Sequence, residues 1–227
     1  DMCSKMNAVA VVSQSCKAML QEKLPELESK LVCIPNMLDA VAIGQKAGNS
    51  PYTGDMLHIV SVGRLAPEKH FENIIPVAKT LRDISTDCVW HIVGEGPERS
   101  QLETLIAENG LKDHVILEGS KTNPYPYMKY ADLFVHPSYI ESQGLTVLEA
   151  MALGVPCVVT KSRGPCEFIV DGVNGLLTEQ SPESLTEKVL SILTDKTLYQ
   201  SIKENTVCPE QFAPDRVMKQ IEELIDG

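Results

Sequence analysis

The sequence lacks the usual marks of a metal site. It has no Asp-x-Asp and no Cys-x-x-Cys, and its five histidines show no ligand spacing, so no metal is expected. It has no run of 18 apolar residues, so no membrane-crossing helix is expected. Its opening, "DMCSKMNAVAVV", does not read as a signal peptide. Positive charge is scarce: 20 Lys and Arg against 31 Asp and Glu leave a net charge of -11. That balance argues against a general nucleic-acid or anionic-membrane surface and leaves room only for a local basic pocket. The seven cysteines (Cys3, Cys16, Cys33, Cys88, Cys157, Cys166 and Cys208) are odd in number, and Cys88 and Cys157 sit in apolar runs. Reduced, partly buried thiols in a cytosolic protein are the expected state.

What the sequence has is apolar substance, 43 % hydrophobic residues over 227, enough for a packed core. Strand-like runs at 8–13, 31–36, 57–63, 88–94, 114–119, 132–138 and 155–160 alternate with helical patterns at about 14–24, 70–83, 97–110, 125–130, 144–153, 181–193 and 214–225. Pro76 is expected to kink or shorten its helix. Pro97 and Pro182 suit first turns, Ser181 suits a cap, and "DGVNG" (171–175) reads as a turn. Strands that are apolar throughout and alternate with helices predict an α/β fold: a doubly wound, Rossmann-like parallel sheet covered on both faces. The expected division has four parts. Residues 1–38 are the tail of another domain, 39–56 a linker, 57–205 the main domain, and 206–227 a C-terminal helix crossing back.

Ligands of such sheets bind beyond the carboxyl ends of the strands, and three unusual stretches fall there. In "VGRLAPEKH" (62–70), Gly63 permits a tight turn, and Arg64 and Lys69 are either a diphosphate grip or a solvated pair. "VGEGP" (93–97) is half a dinucleotide fingerprint that fails at Arg99. It is a tight strand-to-helix turn or a ligand contact. In "YIESQGLTVLEAMALGVPCVVT" (139–160), the amides from Ser142 to Thr146 open a helix, a natural anion site. Glu141 precedes that start and Glu149 lies inside the helix. Each either complements the dipole or faces solvent, or else accepts hydrogen bonds from sugar hydroxyls.

Taken in order, "VGRLAPEK", "VGEGP", "VHPSYIESQGLTVLEAMALGVPCVVT" and "DGVNGLL" resemble the C-terminal, donor-binding half of a family four retaining glycosyltransferase of the GT-B fold. The resemblance covers nearly all of residues 57–180, and residues 8–39 resemble the end of that family's N-terminal domain and its hinge. It implies a sugar donor carried on a nucleoside diphosphate, with no metal and no other cofactor. It assigns Arg64 and Lys69 to the diphosphate and the leaving group, and Glu141 to the donor sugar at the reacting carbon. Glu149 takes the ribose hydroxyls, the amides of Gly144, Leu145 and Thr146 a phosphate, and Ser120 and Lys121 the base. Two departures stand out: Gln143 occupies a place commonly aromatic in the family, and Arg163-Gly164 replaces a double-glycine turn.

The same resemblance implies partners. They are a nucleotide sugar, the N-terminal domain of a larger enzyme, and an acceptor from the glycan or lipid-linked glycan class. The whole enzyme would be cytoplasmic, with a peripheral contact at the inner membrane face. The 227-residue chain is expected to be unable to transfer sugar alone, and its remnant helices would favour self-association. Two alternatives remain: a non-catalytic nucleotide-sugar-binding module, and a GT-B nucleotide-sugar epimerase, which the "EAMALG" context disfavours.

Overall fold

The computed structural model describes residues 6–226; Cys3 and the first residues of the expected remnant lie outside that range. Two parallel sheets make up the fold. In the smaller, β1 (Val9–Val11) pairs with β2 (Leu31–Cys33), bridged by helix α1 (Gln14–Lys23). Val11, Leu27 and Leu31 form the small core beneath it.

The larger sheet contains β3 (Leu57–Val62), β4 (Cys88–Val93), β5 (Val115–Gly119), β6 (Leu133–His136), β7 (Cys157–Thr160) and β8 (Leu176–Thr178). Their spatial order is β5-β4-β3-β6-β7-β8, every pairing parallel. Sequence order therefore reverses between β3 and β6, and a doubly wound sheet opens its ligand crevice at such a reversal. Helices α3 (Ile74–Asp83), α4 (Arg99–Glu108), α7 (Pro182–Thr194) and α8 (Lys196–Asn205) share one core with Ile59, Trp90 and Val115 of the sheet. Helices α2 (Ala40–Lys46), α5 (Tyr125–Lys129) and α6 (Leu145–Ala152) share the other core with Val60, Phe134 and Val159. Burial on both faces is why β3, β4 and β6 read as continuous apolar runs.

Local chemistry accounts for most boundaries. Ser13 caps α1 by accepting from the Cys16 amide, Asp39 caps α2 through the Ala42 amide, and Ser181 caps α7 through the Ser184 amide. Three expectations need correction. Of the two effects expected of Pro76, the helix is shorter, Ile74–Asp83 instead of 70–83, but Pro76 does not kink it: it is the third residue from the Ile74 start, where the amide has no acceptor within the helix anyway. The chain delays that start because His70 adopts a left-handed φ of 49° between two short 3₁₀ turns. The expected linker contains α2, whose Ile43 enters the second core, and β8 and α8 were not anticipated from the sequence.

The segment after α8 returns to the small sheet. The Leu38 amide donates to the Phe212 carbonyl at 2.7 Å, and the ring of Phe212 lies edge-on to Phe168 at 5.5 Å. Helix α9 (Pro214–Asp226) follows. No helix among the described residues is long and apolar enough to cross a membrane. The six described cysteines are free thiols; Cys88 and Cys157 are buried, as their apolar surroundings suggest.

Candidate functional site

The crevice at the β3/β6 reversal holds the predicted residues. The loop after β3 carries Gly63, Arg64 and Lys69. The loop after β6 carries Glu141 and leads into α6 at Gly144. All five, with Leu145 and Thr146, line one cavity of about 390 Å³. Ser120 and Lys121 line an adjoining cavity of about 280 Å³, and Gly63 and Arg64 line both, so Arg64 stands at the junction. Glu149 lines neither of these two. One turn inside α6, it accepts a hydrogen bond from the Tyr125 hydroxyl at 3.2 Å, next to Pro124 of the second cavity.

Backbone contact sets the β3 loop. Gly63 has an ordinary φ and no severe crowding; the close approach lies across from it. A Cβ on Gly94 would sit 1.8 Å from the Gly63 carbonyl oxygen, and one on Gly96 would sit 2.2 Å from that of Leu65. The amides of Gly63 and Leu65 donate to the Val93 and Glu95 carbonyls, and the Glu98 amide donates back to Leu65. The two glycines of "VGEGP" thus form the bed on which the Arg64 loop lies, and Gly94 and Glu95 also line the second cavity.

Helix α6 begins without a side-chain cap. Its N-cap is Gly144 at φ 85°, ψ 49°, and a Cβ there would meet Cγ of Pro165 at 2.8 Å. Gly144, Leu145 and Thr146 therefore reach the cavity as the uncapped positive end of a helix dipole, suited to an anion.

Glu141 is the electrostatic centre. Its Oε2 accepts from Lys69 Nζ at 2.5 Å and from His136 Nε2 at 3.2 Å. Burial pushes the Glu141 carboxyl up, but the hydrogen bonds from His136 and Lys69 and the charge of Lys69 outweigh it and hold the pKa at about 2. Desolvation pushes His136, 2 % exposed, the other way, below the ordinary histidine value. At neutral pH it is therefore a neutral imidazole that donates its Nε2 proton, while Lys69 supplies the positive charge. An ammonium has three donors, so Lys69 keeps two for a ligand. Arg64 is held more loosely: its pair with Glu68 at 2.9 Å is exposed on the arginine side, 68 %, and screened. Burial raises the Glu149 carboxyl, partly offset by the Tyr125 bond.

Several contributors escaped sequence reading. His136 was read as part of a strand. Val12 and Asn36, from the small sheet and its exit, line the same cavity as Arg64 and Glu141. Gln143, noticed only as a departure from the family pattern, is buried and bonded to Asn36. Ser61 carried no signal either; buried under β3, it accepts from Trp90 Nε1 and donates to the Val135 carbonyl, tying the strands on either side of the reversal.

A doubly wound sheet with its anion-ready crevice at the strand reversal, joined to a small two-stranded parallel sheet, is the C-terminal architecture of GT-B glycosyltransferases. The glycosyl transferases group 1 model matches residues 49–207, and the chain belongs to that family. It is 35 % identical over 226 residues to an exopolysaccharide phosphotransferase of Streptomyces coelicolor, covering 96 % of this chain and 23 % of that protein. It is 34 % identical over 151 residues to the alpha-D-kanosaminyltransferase of Streptomyces kanamyceticus, covering 65 % and 39 %. In fold it is similar to Anabaena HepE, solved with UDP and glucose: TM-score 0.83 at 22 % identity, covering 97 % of this chain and 63 % of that one. The chain thus spans well under half the length of these two curated relatives.

Proposed function

We propose that this chain is the donor-binding part of a retaining glycosyltransferase that moves a sugar from a nucleoside diphosphate to a hydroxyl acceptor. One observation carries the reading: Arg64, Lys69, Glu141 and the uncapped start of α6 converge on one cavity at the strand reversal. Departure of a nucleoside diphosphate leaves negative charge on its terminal phosphate. Arg64, the free donors of Lys69 and the α6 amides stabilise that charge more than they stabilise the bound substrate. These cations supply in the protein the charge that a metal ion supplies in other transferases.

Glu141, held ionised, faces the sugar and supports the positive character that grows at its reacting carbon. The leaving phosphate takes the acceptor proton on the face it departs from, so configuration is retained. Ser120 and Lys121 lie beside the base, and Glu149 takes the ribose hydroxyls, its charged form disfavoured by burial and supported by the Tyr125 hydroxyl. The donor is a uridine nucleotide sugar, in keeping with the UDP held by HepE. The acceptor is a glycan or lipid-linked glycan, met in the cytoplasm or at the inner membrane face, and it docks on a further domain. The 227 residues bind donor without completing transfer.

Calorimetric titration with UDP, GDP and ADP, beside an Arg64→Ala/Lys69→Ala double variant, tests this. One nucleotide binds, and the double variant loses it. Equal binding by the variant, or no binding of any of the three, refutes the donor assignment.

A further inference from the structure

The turn that carries Glu141 into α6 is gripped from two sides. Beneath it, a Cβ on Gly164 would lie 2.5 Å from Cα of Gln143, so only glycine fits there. The Gly164 amide donates to the Glu141 carbonyl at 3.0 Å. Above it, Gln143 turns into the interior, 4 % exposed, and binds one residue of the small unit three times. Its Oε1 accepts from the Asn36 amide at 2.9 Å and from Asn36 Nδ2 at 2.7 Å, and its Nε2 donates to the Asn36 carbonyl at 3.1 Å. One side chain thus pairs with both main-chain groups of the segment leaving β2, as a neighbouring strand would. Asn36 in turn lines the cavity that holds Arg64, Lys69 and Glu141.

A buried primary amide is costly unless bonded, and a leucine of similar size would pack there without that demand. We propose that the Gln143–Asn36 clasp is a positioning device for the donor diphosphate. Resting on the donor reading above, it fixes the backbone entering α6 so that the amides of Gly144, Leu145 and Thr146 converge on a phosphate. It also makes the strand exit at Asn36 a wall of the site. Gln143 and Asn36 are positioning residues: they act through the backbone of the turn, not on the reacting atoms.

The test measures the affinities of the chain for UDP, GDP and ADP by calorimetry, and for the matching nucleoside by ligand-observed NMR. Wild type is compared with Gln143→Leu and Asn36→Ala. The nucleoside reports the base and ribose contacts alone. Gln143→Leu is expected to weaken the diphosphate about fivefold to tenfold, Asn36→Ala about twofold to fourfold, with nucleoside affinity unchanged. Asn36 is exposed, so its variant opens no core and decides the matter if Gln143→Leu does not fold. Folded variants that bind the diphosphate like wild type overturn the clasp and leave the donor reading standing. Parallel loss for nucleoside and diphosphate means general loosening and overturns it too. Failure of wild type to bind any of the three overturns both.

Discussion

Single residues at the crevice are already paired before any ligand arrives, and the pairs differ in strength. Lys69 and Glu141 are 20 % and 17 % exposed, so their attraction is little screened. In the full-length enzyme, Glu141→Gln is expected to lower kcat about 100-fold to 1,000-fold with donor affinity nearly unchanged. Unchanged turnover would remove Glu141 from the chemistry. Arg64 is a different case, because Glu68 competes with the diphosphate for it. Glu68→Gln releases Arg64 and is expected to tighten nucleoside diphosphate binding by up to about fivefold, read by calorimetry; weaker binding would make Glu68 part of the site. Residue types and local spacing alone left Arg64, Lys69, Glu141 and Glu149 balanced between surface and site. Resemblance tipped the balance, since no spacing rule relates Lys69 to a carboxylate 72 positions away. Gln143 shows the limit: an amide reads as surface in a sequence, and only its partner 107 residues distant explains its burial.

Elements were legible where an apolar period and a cap coincided. Helices α1, α7 and α9 and strands β3 to β7 answer to such signals. β8 is three residues long, too short for a period, and α8 buries only Ile202 among polar residues. Its start was nevertheless written in the sequence: Asp195 accepts from the amides of Thr197 and Leu198, an N-cap set directly after α7. α2 was hidden inside a stretch rich in glycine and alanine. At the start of α6, the left-handed Gly144 gives a firm expectation. Gly144→Ala forces a Cβ into a disfavoured φ and against Pro165, a cost of about 1–2 kcal/mol. It should lower Tm by roughly 2–8 °C and weaken nucleoside diphosphate binding. Thermal unfolding and titration of one sample check both, and an unshifted Tm would mean that the turn tolerates a side chain.

Across the whole molecule, buried titratable groups set the acid limit. Burial holds His58, His91 and His136 below their ordinary value, against the pull of Asp132, Glu118 and Glu141 respectively. A histidine disfavoured as a cation in the fold gains its proton on unfolding. Stability is therefore expected to decline as pH falls below about 6.5. Glu141, at about 2 against an ordinary 4.5, adds a second decline between those values, on the order of 3 kcal/mol when complete. Tm measured from pH 8 to pH 3 should show both phases, and Glu141→Gln should flatten the lower one. A single phase confined below pH 4.5 would refute the histidine part.

The contacts that assemble the crevice also span the chain. Gln14 and Ser15 at the start of α1 donate to Glu167, 153 and 152 positions away, just as Gln143 reaches back to Asn36. Most of the pocket's lining lies between Val62 and Thr146, but Val12 and Asn36 complete its wall from the small sheet. Closing it costs the entropy of bringing those distant segments together. During synthesis, Asn36 must wait for more than a hundred residues to emerge before Gln143 can meet it. Ligand competence is then among the last properties the polypeptide acquires, and nucleotide capture becomes a report that folding has finished.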